Sequence, residues 1–154
     1  KYGLNGLISN IIYNEEGLPL HCAPSRKCDI IYHHVDGSYI LEPTMQRGRN
    51  QQLNNETTNI VRHMTNEKSI YGIDYRVIMI APYIHPDVVE FFRFKAINDR
   101  VNISALSIEK TIELIYESNN IKDLNNSYDL IIKDLKTLTV QEFVDKINSF
   151  KISI

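Results

Sequence analysis

Residues 28–45 read CDIIYHHVDGSYILEPTM, two runs rich in β-branched and aromatic side chains joined by Asp36-Gly37. Asp-Gly between such runs predicts a hairpin, because both central residues of a type I′ turn need positive φ. With that two-residue loop, Val35 pairs with Ser38, Asp29 with Thr44 and Ile31 with Glu42. Side chains alternate across a strand, so Asp29, Ile31, Glu42 and Thr44 share one face. Asp29 and Glu42 become diagonal neighbours, roughly 6–8 Å apart at Cβ and close enough to share one cation.

Two carboxylates near the ends of apolar strands repel each other unless something neutralises them. Mg2+ suits the pair, since it takes one or two carboxylates plus waters and phosphate oxygens. Pro43 cannot donate to a ladder and marks an edge, a bulge or a strand end. Its carbonyl is then a further oxygen ligand. The competing reading leaves both acids solvated at a sheet rim, matched by Arg26 or Lys27. Spacing alone does not choose between the two.

Outward from the hairpin, Leu4 to Tyr13 sets Leu4, Leu7, Ile8, Ile11 and Ile12 on one helical face, with Gly17 as the stop. Leu18 to Cys22 reads as a short strand. After the hairpin, Asn50 to Thr65 predicts a helix with Leu53, Ile60, Val61 and Met64 turned to the core. Tyr75 to Ala81 is a continuous apolar run, the pattern of a strand buried on both faces. His85-Pro86-Asp87 opens a helix to about Ile97, with Pro at its first position. Val101 to Leu106 is a strand, and Ser107 caps a helix to about Glu117. Thr139-Val140-Gln141-Glu142 fits a capping box that starts a last helix to about Phe150. This order predicts an α/β fold with a central mixed β-sheet flanked by helices.

A chain of 154 residues suits one domain, 1–154, with a real core and no need of disulfide staples. Seventeen basic against nineteen acidic residues give a net charge of −2, which argues against a free-standing nucleic-acid binder. No apolar run reaches the roughly 18 residues of a spanning helix. The first residue is Lys, which suggests a piece of a longer protein. Cys22 and Cys28 lack zinc-site spacing and read as reduced thiols. His33 and His34 point to opposite faces of a strand and cannot grip one metal.

On the helix after the hairpin, Gln52, Glu56, Asn59 and His63 fall on one stripe. Such a stripe is usually a solvated face. Here Glu56 can help hold a metal, Gln52 can orient water or phosphate, and Arg62 and His63 can contact phosphate.

The whole run HCAPSRKCDIIYHHVDGSYILEPTMQRGRNQQLNNETTNIVRHM, residues 21–64, resembles the core of the AlwI family of type IIS restriction and nicking endonucleases, PD-(D/E)xK nucleases. APYIHPDVVEFF, ALSIEKTIELI and LTVQEFVDKI resemble later parts of the same cleavage domain. The resemblance implies a restriction-endonuclease-like core in which Asp29 and Glu42 are the metal-binding acids and Glu56 the helix acid. Gln52, Arg62 and His63 match the helix positions beside them. The lysine of the D/E-x-K signature should stand at Thr44, so Gln52, Arg49 or the metal itself would have to replace it. Ser25 stands where the family loop favours Gly.

The implied activity is Mg2+-dependent hydrolysis of phosphodiester bonds in double-stranded DNA, with Mn2+ able to substitute. A separate DNA-recognition domain or subunit would supply sequence specificity. A homodimer or a catalytic partner would be needed to cut both strands, in the cytoplasm of a bacterium. The alternatives are a catalytically idle domain kept for dimerisation or structure, and a repair-type nuclease of the same fold.

Overall fold

The computed structural model describes residues 6–21, 23–24 and 26–149. Its strands are β1 (Leu7–Ser9), β2 (Ile12–Tyr13), β3 (Pro19–His21), β4 (Ile30–Tyr32), β5 (Tyr39–Pro43), β6 (Arg76–Ala81) and β7 (Ile103–Ser107). Five of them form a mixed sheet in the order β1-β4-β5-β6-β7, and β2 and β3 form a separate ribbon. β4 runs antiparallel to both β1 and β5, whereas β5, β6 and β7 are parallel. The helices are α1 (Arg49–Gln51), α2 (Thr57–Tyr71), α3 (Pro86–Phe94), α4 (Ile108–Glu117), α5 (Ile121–Thr137) and α6 (Val140–Asn148). The α/β expectation of a central mixed sheet flanked by helices is therefore met.

The core follows the apolar pattern. Val77, Ile78, Met79 and Ala81 of β6 are buried, as is every residue of β7. β6 is an interior strand, and β7, at the edge of the sheet, is covered by α3, α4, α5 and α6, which explains the unbroken apolar runs. Local signals also hold at several helix starts. His85 caps α3 with Pro86 at its first position, and Ser107 Oγ accepts from Lys110 N at the start of α4. Thr139 and Glu142 form the reciprocal capping box of α6. Tyr128, wholly buried on α5, brings its hydroxyl within 2.9 Å of Val77 O and 2.8 Å of Asn102 O, tying that helix to β6 and the turn before β7. Among the described residues, no helix is long and apolar enough to cross a membrane.

Two expectations are corrected. The first is the amino-terminal helix. Residues 7–13 instead form β1 and β2, with Leu7, Ile8 and Ile12 exposed; Leu4 lies outside the described residues. Helical and extended readings of a short Ile/Leu run are close in energy, and pairing decides between them. Here His33 N donates to Gly6 O at 2.9 Å and Asn10 N to Asp29 O at 2.8 Å, zipping the segment onto β4. A side chain at Gly6 would sit 1.9 Å from His33 O, so the close approach needs glycine. The Leu18–Cys22 strand appears as β3, although Cys22 and the expected last residue Phe150 lie outside the described set.

The second correction is the hairpin register. Ile31 faces Ile40 rather than Glu42, and Tyr32 faces Tyr39. The turn is wider than two residues because tertiary contacts claim it. Asn125 on α5 donates to Asp36 O at 2.7 Å, His34 N donates to Ser38 Oγ at 3.3 Å, and Gly37 lies against Arg76 and Asn125. A shift of two residues keeps every side chain on its expected face. The ladder ends at Ile30 and Leu41, so Asp29 and Glu42 are the next residues on each chain where the two strands part.

Candidate functional site

β5 leaves its antiparallel partner after Leu41 and continues beside β6 alone, since Pro43 still faces Ile80. Thr44 N donates to Ile80 O at 2.8 Å. Strand groups alternate, so the Pro43 carbonyl, one residue earlier, points to the side that β4 has vacated. A cleft of about 690 Å³ opens there, lined by Asp29, Glu42, Pro43, Thr44, Glu56, Asn59, Arg62 and His63 among others.

Each acid is held by a specific donor. Asp29 Oδ1 accepts from Ala23 N at 2.9 Å. Glu42, only 6% exposed, has its Oε1 2.9 Å from His63 Nδ1. Glu56 Oε1 accepts from Thr44 Oγ1 at 3.2 Å. Burial pushes the Glu42 carboxyl above its ordinary range; His63 pulls it back, and the charge of Asp29 adds to the rise. Glu56 is raised for the same first reason, with Asp29 again contributing against the Thr44 hydrogen bond. Three carboxyl groups therefore share one cleft, and burial makes ionisation of Glu42 and Glu56 costly. An all-oxygen set of this kind, with room for waters, fits a hard divalent cation such as Mg2+.

The expected residues fall into two groups. Asp29, Glu42, Pro43, Glu56, Arg62 and His63 meet at the cleft. Arg62 is exposed at its rim, with its guanidinium donating to Asn59 Oδ1 at 2.9 Å. Gln52 and Arg49 do not line the cleft. Gln52 is fully buried and its amide is spent on backbone: Nε2 donates to Gln46 O at 2.8 Å and Tyr83 O at 2.6 Å, and Oε1 accepts from His85 N at 3.2 Å. It braces the two loops beside the cleft. Arg49 pairs with Asp87 on α3.

The helix explains the split. Residues Gln52–Glu56 form a π-helical turn between α1 and α2. The extra residue in that turn breaks the regular stripe, sending Gln52 inward while Glu56 and His63 stay on the cleft.

Cys28 is the residue that sequence reasoning missed. It is buried, its thiol hydrogen-bonds Glu42, and burial followed by the charges of Glu42 and Glu67 pushes its pKa far up. Strict alternation puts Cys28 and Asp29 on opposite faces, but the chain bends at Asp29 before β4 begins. No local signal marks that bend. Among the described residues, Cys28, Glu42 and His63 form the group of three whose ligand atoms all lie within 4.8 Å. Asp29 and Glu56 stand at wider spacing.

Comparison with known proteins places this geometry in a family. The family model for AlwI restriction endonuclease matches residues 6–114, a span that holds the cleft acids and both parallel crossovers. The chain belongs to the AlwI restriction endonuclease family. Its fold is similar to that of the small subunit of the heterodimeric restriction endonuclease R.BspD6I, with a TM-score of 0.78 at 18% identity. That match covers 93% of this chain and 78% of the other. No curated protein matches the chain by sequence. In this AlwI-family chain the Thr44 hydroxyl is spent on Glu56.

Proposed function

We propose that this AlwI-family chain is the cleavage unit of a type IIS restriction endonuclease, hydrolysing DNA phosphodiester bonds with a divalent cation. The observation that carries the reading is the convergence of Asp29, Glu42 and Glu56 on one cleft where β4 and β5 part. Asp29, Glu42 and the Pro43 carbonyl would hold Mg2+, and Mn2+ would substitute. The chemistry that the bound ion supplies is activation of water and neutralisation of charge developing on the scissile phosphate.

The protein groups prepare that centre. The Ala23 amide orients Asp29, His63 orients Glu42, and Thr44 orients Glu56. Arg62, Arg26 and Lys27 all line the cleft and would meet DNA phosphates there. Gln52 acts as a positioning residue through the loops it braces, and Arg49 is withdrawn by its pair with Asp87. A net charge of −2 leaves affinity and sequence choice to a separate recognition domain or partner subunit. One site cuts one strand, so a double-strand break calls for a second copy or a catalytic partner. The bacterial cytoplasm is the compartment this activity implies.

A second reading has one observation in its favour. Thr44 offers a neutral hydroxyl where the wider fold uses a cation, as an idle domain would. A supercoiled-plasmid assay at low salt with Mg2+ or Mn2+ separates the two. The nuclease reading expects metal-dependent nicked product that EDTA abolishes and that Asp29→Ala lowers at least about a hundredfold, the scale of losing several kcal/mol of charge stabilisation. Equal product from wild type and a folded Asp29→Ala would sink it.

A further inference from the structure

Around Glu42 the hard oxygen donors of the cleft meet softer ones. Cys28 Sγ, a Glu42 carboxylate oxygen and a His63 ring nitrogen lie within 4.8 Å of one another. Cys28 and Glu42 are buried, and His63 is 14% exposed in its side chain. The Glu42 oxygen and His63 nitrogen are already 2.9 Å apart. Glu67, one turn beyond His63 on α2, is a further buried carboxyl whose charge reaches Cys28. A second observation points the same way. The buried hydroxyl of Tyr75 has no hydrogen-bond partner, and both Glu67 and Cys28 act on it electrostatically. Polar groups here outnumber the partners available to them.

We propose that Cys28, Glu42 and His63 form a binding site for a borderline-soft divalent ion of the zinc class, and that filling it withdraws Glu42 from the candidate magnesium centre and stops cleavage. The inhibitory half of this proposal rests on the role given to Glu42 above. Thiolate, imidazole and carboxylate are the zinc donor set, with bonds of about 2.0–2.3 Å. Such bonds put tetrahedral ligand atoms about 3.3–3.8 Å apart, so the Glu42–His63 pair opens slightly from 2.9 Å and the wider spacings of the group close, by side-chain rotation. The thiolate discriminates against Mg2+ and favours Zn2+ or Co2+. Binding releases the Cys28 thiol proton to solvent and takes the Nδ1 lone pair of neutral His63. Glu42 and His63 both line the cleft, so the ion enters from there and water completes its shell.

Titration of the full chain with Co2+ tests the site without reference to cleavage. A thiolate-to-cobalt charge-transfer band is expected in wild type and in Cys22→Ser, is absent from Cys28→Ser, and is displaced by Zn2+. Melting curves establish that Cys28→Ser, or Cys28→Ala in its place, is folded. In the Mg2+-supported plasmid assay, Cys28→Ser should need at least about tenfold more Zn2+ for half-inhibition, the loss of one of three ligands. A wild-type chain with no band, or a band that survives in folded Cys28→Ser, overturns the site. Equal zinc sensitivity of wild type and Cys28→Ser overturns the inhibitory role. A Cys28-dependent band in a chain that never cleaves upholds the site and counts against the nuclease reading instead.

Discussion

At the scale of single residues, the cleft makes ionisation of its buried carboxyls costly. Burial holds the folded-state pKa of Glu42 above its ordinary value of 4.5. Stability tied to the protonated carboxyl is therefore full below that value and is lost as pH rises through the raised one. In EDTA, Glu42→Gln should match wild type in acid and become the more stable of the two as pH climbs to neutrality. Urea midpoints at pH 4 and pH 7.5 would show this, and a less stable variant at pH 7.5 would refute it. Mg2+ should close the gap at neutral pH by stabilising wild type alone.

Gln52→Ala is a different kind of change. It strips hydrogen bonds from Gln46 O, Tyr83 O and His85 N, and should cost about 2 kcal/mol in urea unfolding. A variant as stable as wild type would mean that Gln52 is not the brace described here. Asp29 and Glu42 were legible in the sequence because alternation fixes the face even when the register is off by two. Cys28 was not, because the chain bends at Asp29 before β4 begins and so brings the thiol to Glu42.

At the scale of elements, the signals that held were those settled within a few residues, such as the Ser107 cap and the Thr139–Glu142 box. The ones that failed were settled by distant partners. Asp36-Gly37 asks for a tight turn, yet Asn125, far along the chain on α5, takes the Asp36 carbonyl and accepts from Tyr39 Oη at 2.8 Å. Asn125→Ala leaves both groups without that partner and should destabilise by about 1–3 kcal/mol, with the melting temperature as the readout. An unchanged melting temperature would remove Asn125 as the cause of the wider turn. The first strands failed for a similar reason: β1 depends on an edge that β4 offers and β2 on pairing with β3, which no periodicity in residues 4–13 reveals. The π-helical turn at Gln52–Glu56 was equally hidden, since an added residue leaves composition and apolar spacing almost untouched.

At the scale of the molecule, the proposed division between cleavage and recognition rests on charge. With 17 basic and 19 acidic residues, the chain should bind duplex DNA weakly, with an affinity that falls steeply with salt and does not depend on sequence. Fluorescence anisotropy on unrelated duplexes would measure this. Tight binding to one sequence would contradict the division of labour.

The most direct measurement removes weak DNA binding from the question. The chain is fused to a foreign DNA-binding domain and given a plasmid carrying that domain's operator, with Mg2+, beside Asp29→Ala and Glu42→Gln fusions. The account predicts strand cleavage near the operator by the wild-type fusion, abolished by EDTA and by either substitution. A wild-type fusion that occupies its operator and leaves both strands intact would contradict it.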